Sequence, residues 1–205
     1  MSENIIQRAC SVLQEEGLRG FLFRLIGVIG YRRLLLLGRS LEGPLPEVRS
    51  SLPLEIDWLG PHDQAEFSAM VSDQYNTQIE ARMNKGDRCL AARTHGKLAA
   101  VMWACTTSLR MSYLEMDMPL PPGEVYLCGA FTDPAFRGHG IAPTLSVEML
   151  RRFRETGFHR AIRATWPENS PALRAHAKAG FVPCAMVGRL KLGWWRRDFH
   201  HPLKV

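Results

Sequence analysis

The stretch Thr132–Leu150, TDPAFRGHGIAPTLSVEML, sets an arginine, two glycines one residue apart and a helical apolar pattern directly behind a β-prone run. A chain that leaves a strand, turns tightly and enters a helix presents the helix's unpaired amides, and the positive end of its dipole, at the turn. Gly138 and Gly140 let the backbone take unusual dihedrals and approach a bulky anion, and Arg137 adds a fixed charge. The chemistry this permits is recognition of a phosphate or diphosphate; the plainer reading is a turn that only joins strand to helix. Two common phosphate loops are excluded, because no Gly-Lys-Ser/Thr follows and Pro143 stands where a dinucleotide loop needs a third small residue.

The elements that must position this loop can be read on either side of it. Upstream, VYLCGAFT is a strand, reached through the Pro-rich break MPLPPGE, and RCLAAR, THGK and LAAVMWACTTS form a hairpin. Before these, LEIDWLG alternates as a half-buried strand, Pro61 opens a helix through Val71, and Asp73–Lys85 reads as a polar helix ended by Gly86. Downstream, Leu145, Met149 and Phe153 recur at helical spacing up to Gly157; the strand HRAIRATW follows, then a helix from Ser170–Pro171 to Gly180, then the strand FVPCAMVGRLKLG. Strands that first pair in hairpins and later alternate with helices predict a mixed, mostly antiparallel sheet with helices on both faces, an α+β or three-layer α/β domain. Residues 51–193 form that domain. Residues 1–50 read as an N-terminal extension of helices and a short strand around Arg33–Leu41 closed by the linker EGPLPEVRSSLP, and 194–205 as a tail.

With 205 residues, 46% hydrophobic and 22% charged, the chain fits one substantial core, and its net charge of +6 favours an anionic ligand, surface or partner. The five cysteines are scattered and lack zinc-site spacing, so no metal is expected and reduced thiols in the cytoplasm fit best. GFLFRLIGVIGYRRLLLLG is broken by Arg24, Arg32 and Arg33 into runs well short of the ~20 residues that span a bilayer; it reads as a helix packed on its own domain or as a basic amphipathic helix on anionic lipid. Dispersed arginines without a recognition motif argue against nucleic acid.

The order strand, DPAFRGHGIA, helix, strand, ENS, helix, KAGF, strand resembles the GNAT superfamily of acyl-CoA-dependent N-acyltransferases. Its signature Arg/Gln-x-x-Gly-x-Gly/Ala is matched by Arg137, Gly140 and Ala142, and a second one, Asn, helix, Lys-x-Gly-Phe, by Asn169 and Lys178–Phe181. The resemblance covers about Leu54 to Leu192. It implies that the amides of Arg137, Gly138, His139, Gly140, Ile141 and Ala142 hold the pyrophosphate of acetyl-CoA or another acyl-CoA. Phe131 and Thr132 would pair with the pantetheine arm on a strand that splays from its neighbour, and Asn169 would reach the arm from the other side. By its own chemistry Asn169 reads equally as a helix cap, and the His139 side chain as merely exposed.

Acyl transfer to an amine needs the neutral amine, which at pH 7 is only about one part in 2500 of an ammonium of pKa ~10.4, a deficit of about 4.6 kcal/mol. Glu124, thirteen positions before Arg137, matches the spacing of the base glutamate in histone-acetylating members, and the alternative is a solvated residue after a Pro-Pro-Gly turn. His176 stands where many members carry a tyrosine as general acid, and Tyr126 is a second donor; packing is the structural alternative for both. Cys128 reads as a buried, inert thiol without a partner base. The resemblance implies single-step transfer of an acetyl or short acyl group, in a ternary complex, to a small-molecule amine held near Ser72–Lys85 and the loop Ser108–Pro122, with Met111, Tyr113, Met116 and Met118 as apolar lining. The competing expectation, raised by the missing tyrosine, is a non-catalytic acyl-CoA-binding module that docks on a protein or membrane through the basic extension. An oligomer is compatible with either.

Overall fold

The computed structural model describes residues 30–71, 77–192 and 194–203. The helices expected before Gly30 and the part of the polar helix over 73–76 lie outside them, whereas Tyr31 and Arg32, expected on a basic amphipathic helix, belong to a strand. Ten strands and four α-helices follow in the order β1 (Tyr31–Ser40), β2 (Glu55–Trp58), α1 (Gln64–Met70), α2 (Ile79–Met83), β3 (Arg88–Thr94), β4 (Lys97–Cys105), β5 (Ser108–Met111), β6 (Met116–Pro119), β7 (Glu124–Thr132), α3 (Ile141–Glu155), β8 (Arg160–Thr165), α4 (Ser170–Lys178), β9 (Val182–Leu192) and β10 (Trp195–Pro202). Eight strands make one sheet in the order β10-β9-β1-β8-β7-β4-β3-β2. Only β7 and β8 pair in parallel there, so the sheet is mixed and mostly antiparallel, as expected.

The pleat divides the core. Leu90, Ala92, Ala100, Met102 and Leu127 face α3 and α4, where they meet Leu145, Met149, Leu150, Phe153 and Leu173. Cys89, Ala91, Val101 and Trp103 alternate with them and face α1 and α2 through Phe67, Val71 and Ile79. Helices therefore cover both faces. The segment expected as a loop over Ser108–Pro122 instead folds into the two-stranded β5–β6 sheet, because Leu109, Met111 and Leu114, with Met116 and Met118, bury against β1, β7 and β8.

The boundary expected at residue 50 does not separate a free extension from the domain. β1 lies inside the sheet, antiparallel to β8 on one side and β9 on the other. Its run Leu34–Leu37 is buried, Leu35 and Leu37 on the α3–α4 face, Leu34 and Leu36 on the β5–β6 face. Four side chains of this size each contribute about 1.5–3 kcal/mol on burial, so the domain needs this strand. The linker is also packed: Leu45, Val48 and Leu52 touch the core, and Ser50 and Ser51 bond to His139. The expected tail is β10, fastened to β9 by a two-point Arg189–Asp198 ion pair at 2.7 and 3.0 Å.

Candidate active site

The parallel pairing of β7 and β8 covers three positions, Glu124↔Arg160, Val125↔Ala161 and Tyr126↔Ile162, although β7 runs on to Thr132 and β8 to Thr165. Beyond Tyr126 and Ile162 the strands part. A cleft of about 750 Å³ opens between them, walled by Tyr126–Phe131 on one side and Arg163–Trp166 on the other. Asn169 at the start of α4, Ala172 and His176 within it, and Phe67, Arg82, Trp103 and Arg110 also line the cleft. A parted strand leaves its edge amides and carbonyls available to a partner that adds as an extended chain.

Within the cleft β7 carries a bulge. Val101 pairs with Phe131 and Trp103 with Cys128, so Met102 alone opposes both Gly129 and Ala130. Gly129 has φ +53°, and a Cβ there would lie 3.0 Å from Trp103 Cδ1 and 3.6 Å from Arg82 Nη1, so a side chain would be strained by conformation and crowded against Trp103.

At the end of β7 the chain turns through Asp133–Phe136 into the glycine loop. Gly138 (φ +86°) and Gly140 (φ +75°) are both left-handed, and Gly140 caps α3. Arg137 Nε donates to the Thr132 carbonyl at 3.2 Å, which ties the loop to the strand end. His139 is not simply exposed: its Nδ1 lies 2.9 Å from the Ser51 hydroxyl, and its carbonyl accepts from Ser51 N and Ser50 Oγ, both at 3.0 Å. The fifteen-residue α3 thus starts at a braced turn, with Ile141 buried and the first-turn amides lacking intrahelical acceptors, the geometry that receives an anion. A Cβ at Gly138 would meet nothing within 4 Å, so the loop is open on that side.

The cleft's ionisable groups are unevenly charged. Arg163 is 3% exposed; its Nη1 meets His176 Nδ1 at 2.7 Å and its Nη2 the Met102 sulfur at 2.7 Å, and burial lowers its pKa to about 10. Burial, and then the charge of Arg163, depress His176 to about 3. The imidazole is therefore neutral and accepts from Arg163 through Nδ1, which removes the expected role as a protonated general acid. Tyr126 lines the cleft with its phenol pKa raised by burial, so it keeps its proton and serves as a hydrogen-bond donor. Cys128 and Cys105 lie 3.5 Å apart, with Arg82 Nη2 3.6 Å from the Cys128 sulfur. The Cys105 thiol and Arg82 lower the pKa of Cys128 against the opposing effect of burial. The inert thiol expected at Cys128 is thus corrected: strand neighbours supply the partners that a linear reading cannot see.

Arg82 stacks 4.0 Å above Trp103 and bonds through Nε to Asp87 at 2.8 Å. Arg110 holds the other Asp87 oxygen, and the Asp87 side chain is fully buried between the two guanidinium groups.

Of the sequence-derived candidates, the structure gathers Tyr126, Phe131, Asn169 and His176 around the cleft. Asn169 also caps α4, its Oδ1 accepting from Ala172 N at 3.0 Å, which leaves its NH₂ for the cleft. Thr132 ends the strand, and the Arg137–Ala142 loop follows it. Glu124 is not brought in: it lies at the paired end of β7, 7% exposed, with Oε1 3.0 Å from Arg160 Nη1, and it does not line the cleft. Its backbone is spent on the only stretch where β7 and β8 remain zipped. Sequence reasoning missed Arg82, Arg110, Arg163 and the bulge. Only the bulge had a signal, the lone glycine inside VYLCGAFT.

A mixed sheet whose β7 and β8 part beside a glycine-capped helix defines the class of fold, and comparison with known proteins gives it a family. Residues 54–181 match the Acetyltransferase (GNAT) family, and the chain belongs to it. A mycothiol acetyltransferase of Catenulispora acidiphila is 39% identical over 62 residues, which is 30% of this chain and 19% of that one. The chain thus matches about a fifth of the length of the curated relatives. The fold is shared with a GNAT-family putative acetyltransferase of Novosphingobium aromaticivorans (TM-score 0.55, 21% identity, 78% of this chain and 65% of that one). It is shared too with a GCN5-related N-acetyltransferase of Sphaerobacter thermophilus (TM-score 0.56, 15% identity, 90% and 57%).

Proposed function

We propose that the protein transfers an acetyl or other short acyl group from acyl-CoA directly to the amine of a small acceptor, both substrates being bound together. The observation that carries this reading is the parting of β7 and β8 after Tyr126 and Ile162, directly upstream of the Arg137–Ala142 loop. The diphosphate of coenzyme A rests on the loop amides, the pantetheine arm adds along the free edge of β7, and the thioester reaches the bulge at Gly129. The Asn169 amide steadies the arm from α4.

The acceptor nitrogen attacks the thioester carbonyl, the new C–N bond forms as the C–S bond breaks, and the acyl group leaves sulfur for nitrogen. Backbone amides at the bulge stabilise the oxyanion. The amine's proton needs an acceptor inside the cleft. Cys128 lines the cleft with its pKa lowered by the Cys105 thiol and Arg82 and is placed to take it, whereas Glu124 is held outside by Arg160. The departing thiolate develops near the Arg163 charge and the Tyr126 hydroxyl. The alternative, a non-catalytic module docking through the basic extension 1–50, is weakened because Tyr31–Ser40 of that extension is an inner strand of the sheet.

The test is release of free thiol from acetyl-CoA over an amine panel, with Cys128→Ala and Glu124→Gln. General-base removal costs about 10²–10⁴ in rate, so Cys128→Ala loses at least ~100-fold in kcat/KM with acetyl-CoA affinity retained, and Glu124→Gln stays within about threefold. Glu124→Gln as the crippled variant, with Cys128→Ala active, overturns the assignment of the base. No turnover of any amine by protein that binds acetyl-CoA overturns the reaction.

A further inference from the structure

Resting on the transfer reading above, we propose that the acceptor is a small amine carrying a free carboxylate next to the amine, an α-amino acid or a short derivative of one. The cleft wall carries four cations, Arg82, Lys85, Arg110 and Arg163, and no aspartate or glutamate among its described residues. Against them stand the buried Asp87, shared by Arg82 and Arg110, and the thiolate form of Cys128, so an excess of two positive charges faces the ligand. An uncompensated cationic cleft disfavours a bare ammonium such as a polyamine or a lysine side chain. It attracts a molecule whose own carboxylate cancels that repulsion.

The position of the cations sets the distance between acid and amine. Arg82 is fixed by Trp103 below and Asp87 beside it, while its Nη1 has no hydrogen-bond partner among the described residues. That nitrogen lies 3.6 Å from where a Cβ at Gly129 would be, at the bulge that receives the thioester. An acid gripped there can be only a bond or two from the attacking nitrogen. Arg110 is 30% exposed in its side chain and gives Nη2 to Asp87 and Cys105, which leaves Nη1 and Nε to complete the grip. Guanidinium groups match a planar carboxylate better than ammonium groups do, and two of them converge here. The same field lowers the pKa of the acceptor's ammonium, so the groups that bind the acid also ease loss of the proton.

The experiment compares matched pairs, the free α-amino acids against their α-amides at equal concentration, by thiol release from acetyl-CoA with the full chain. Calorimetry with acetyl-CoA alone runs beside it. At least one amino acid is expected to turn over with kcat/KM tenfold or more above its amide, and Arg110→Gln is expected to shrink that acid-over-amide ratio about tenfold. Amides or simple amines used as well as acids, or no acid used by protein that binds acetyl-CoA, overturn this inference while leaving carrier binding intact. Failure of acetyl-CoA to bind overturns the transfer reading itself.

Discussion

Gly138→Asp places a carboxylate where the diphosphate of an acyl carrier belongs, and it does so without a steric clash. A Cβ at Gly138 meets nothing within 4 Å, whereas at Gly140 it would lie 3.3 Å from the Arg49 carbonyl, so Gly138 separates charge from packing. Its φ of +86° imposes a left-handed cost on any side chain, about 1–2 kcal/mol, reduced for Asp and Asn alike. Gly138→Asn is therefore the matched control, with the same shape, the same backbone demand and no charge. Two unit charges about 5 Å apart repel by about 0.8 kcal/mol at the dielectric of water and about 3.3 kcal/mol at an effective dielectric of about 20. A diphosphate of about two charges doubles these values, to about 1.7 and 6.6 kcal/mol. The smaller figure alone corresponds to roughly fifteenfold in affinity, so the acetyl-CoA Kd of Gly138→Asp should exceed that of Gly138→Asn by at least this factor. Both variants should melt within a degree or two of each other. Titration calorimetry at low salt gives the Kd values and a thermal scan the fold. Equal Kd values in two equally folded variants would refute anion binding at the loop.

Cys128 should be alkylated with a midpoint below that of an ordinary thiol, the thiolate being present above it, as followed by mass spectrometry of the Cys128 peptide. Cys105→Ala and Arg82→Gln should each move that midpoint upward, and an unmoved midpoint in both would break the account of the thiol. His176 gives the opposite kind of signature. Its folded pKa of about 3 lies below the ordinary 6.5, so the unfolded chain binds the extra proton first. Stability tied to the neutral ring is then complete above pH 6.5 and is lost as pH falls toward 3. The Tm of His176→Gln should decline less steeply than that of the wild type between about pH 6.5 and 4, and parallel slopes would show that the ring is not held neutral.

Much of the fold could be read from local pattern. The β3–β4 hairpin, the strand β7, the glycine turn and α3 follow from periodicity and turn chemistry that act between neighbours in the chain. The loop reading also rests on neighbours, because a helix start exposes its amides wherever it lies. β1 was harder. Four consecutive leucines lack the alternation of a half-buried strand because both their faces are covered, and that coverage comes from α3 and the β5–β6 sheet, more than sixty residues downstream. The polar, aromatic tail had no apolar period to mark it as β10, which is held mainly by backbone pairing to β9 and the Asp198–Arg189 bond.

The sequence by itself determined the glycine loop, the cap at Asn169 and the sheet–helix order that matches the family, because each is a property of residues a few positions apart. Tertiary structure alone decided which groups share the cleft. Arg82, Cys105, Cys128 and Arg163 come from α2, β4, β7 and β8 and meet only once the sheet is assembled. It also decided that Glu124, on the same strand as Cys128 and four residues before it, is sealed against Arg160. The physical reason is that charge, burial and proton affinity depend on what surrounds an atom in space, and two positions on one strand fall on opposite sides of the point where β7 and β8 part.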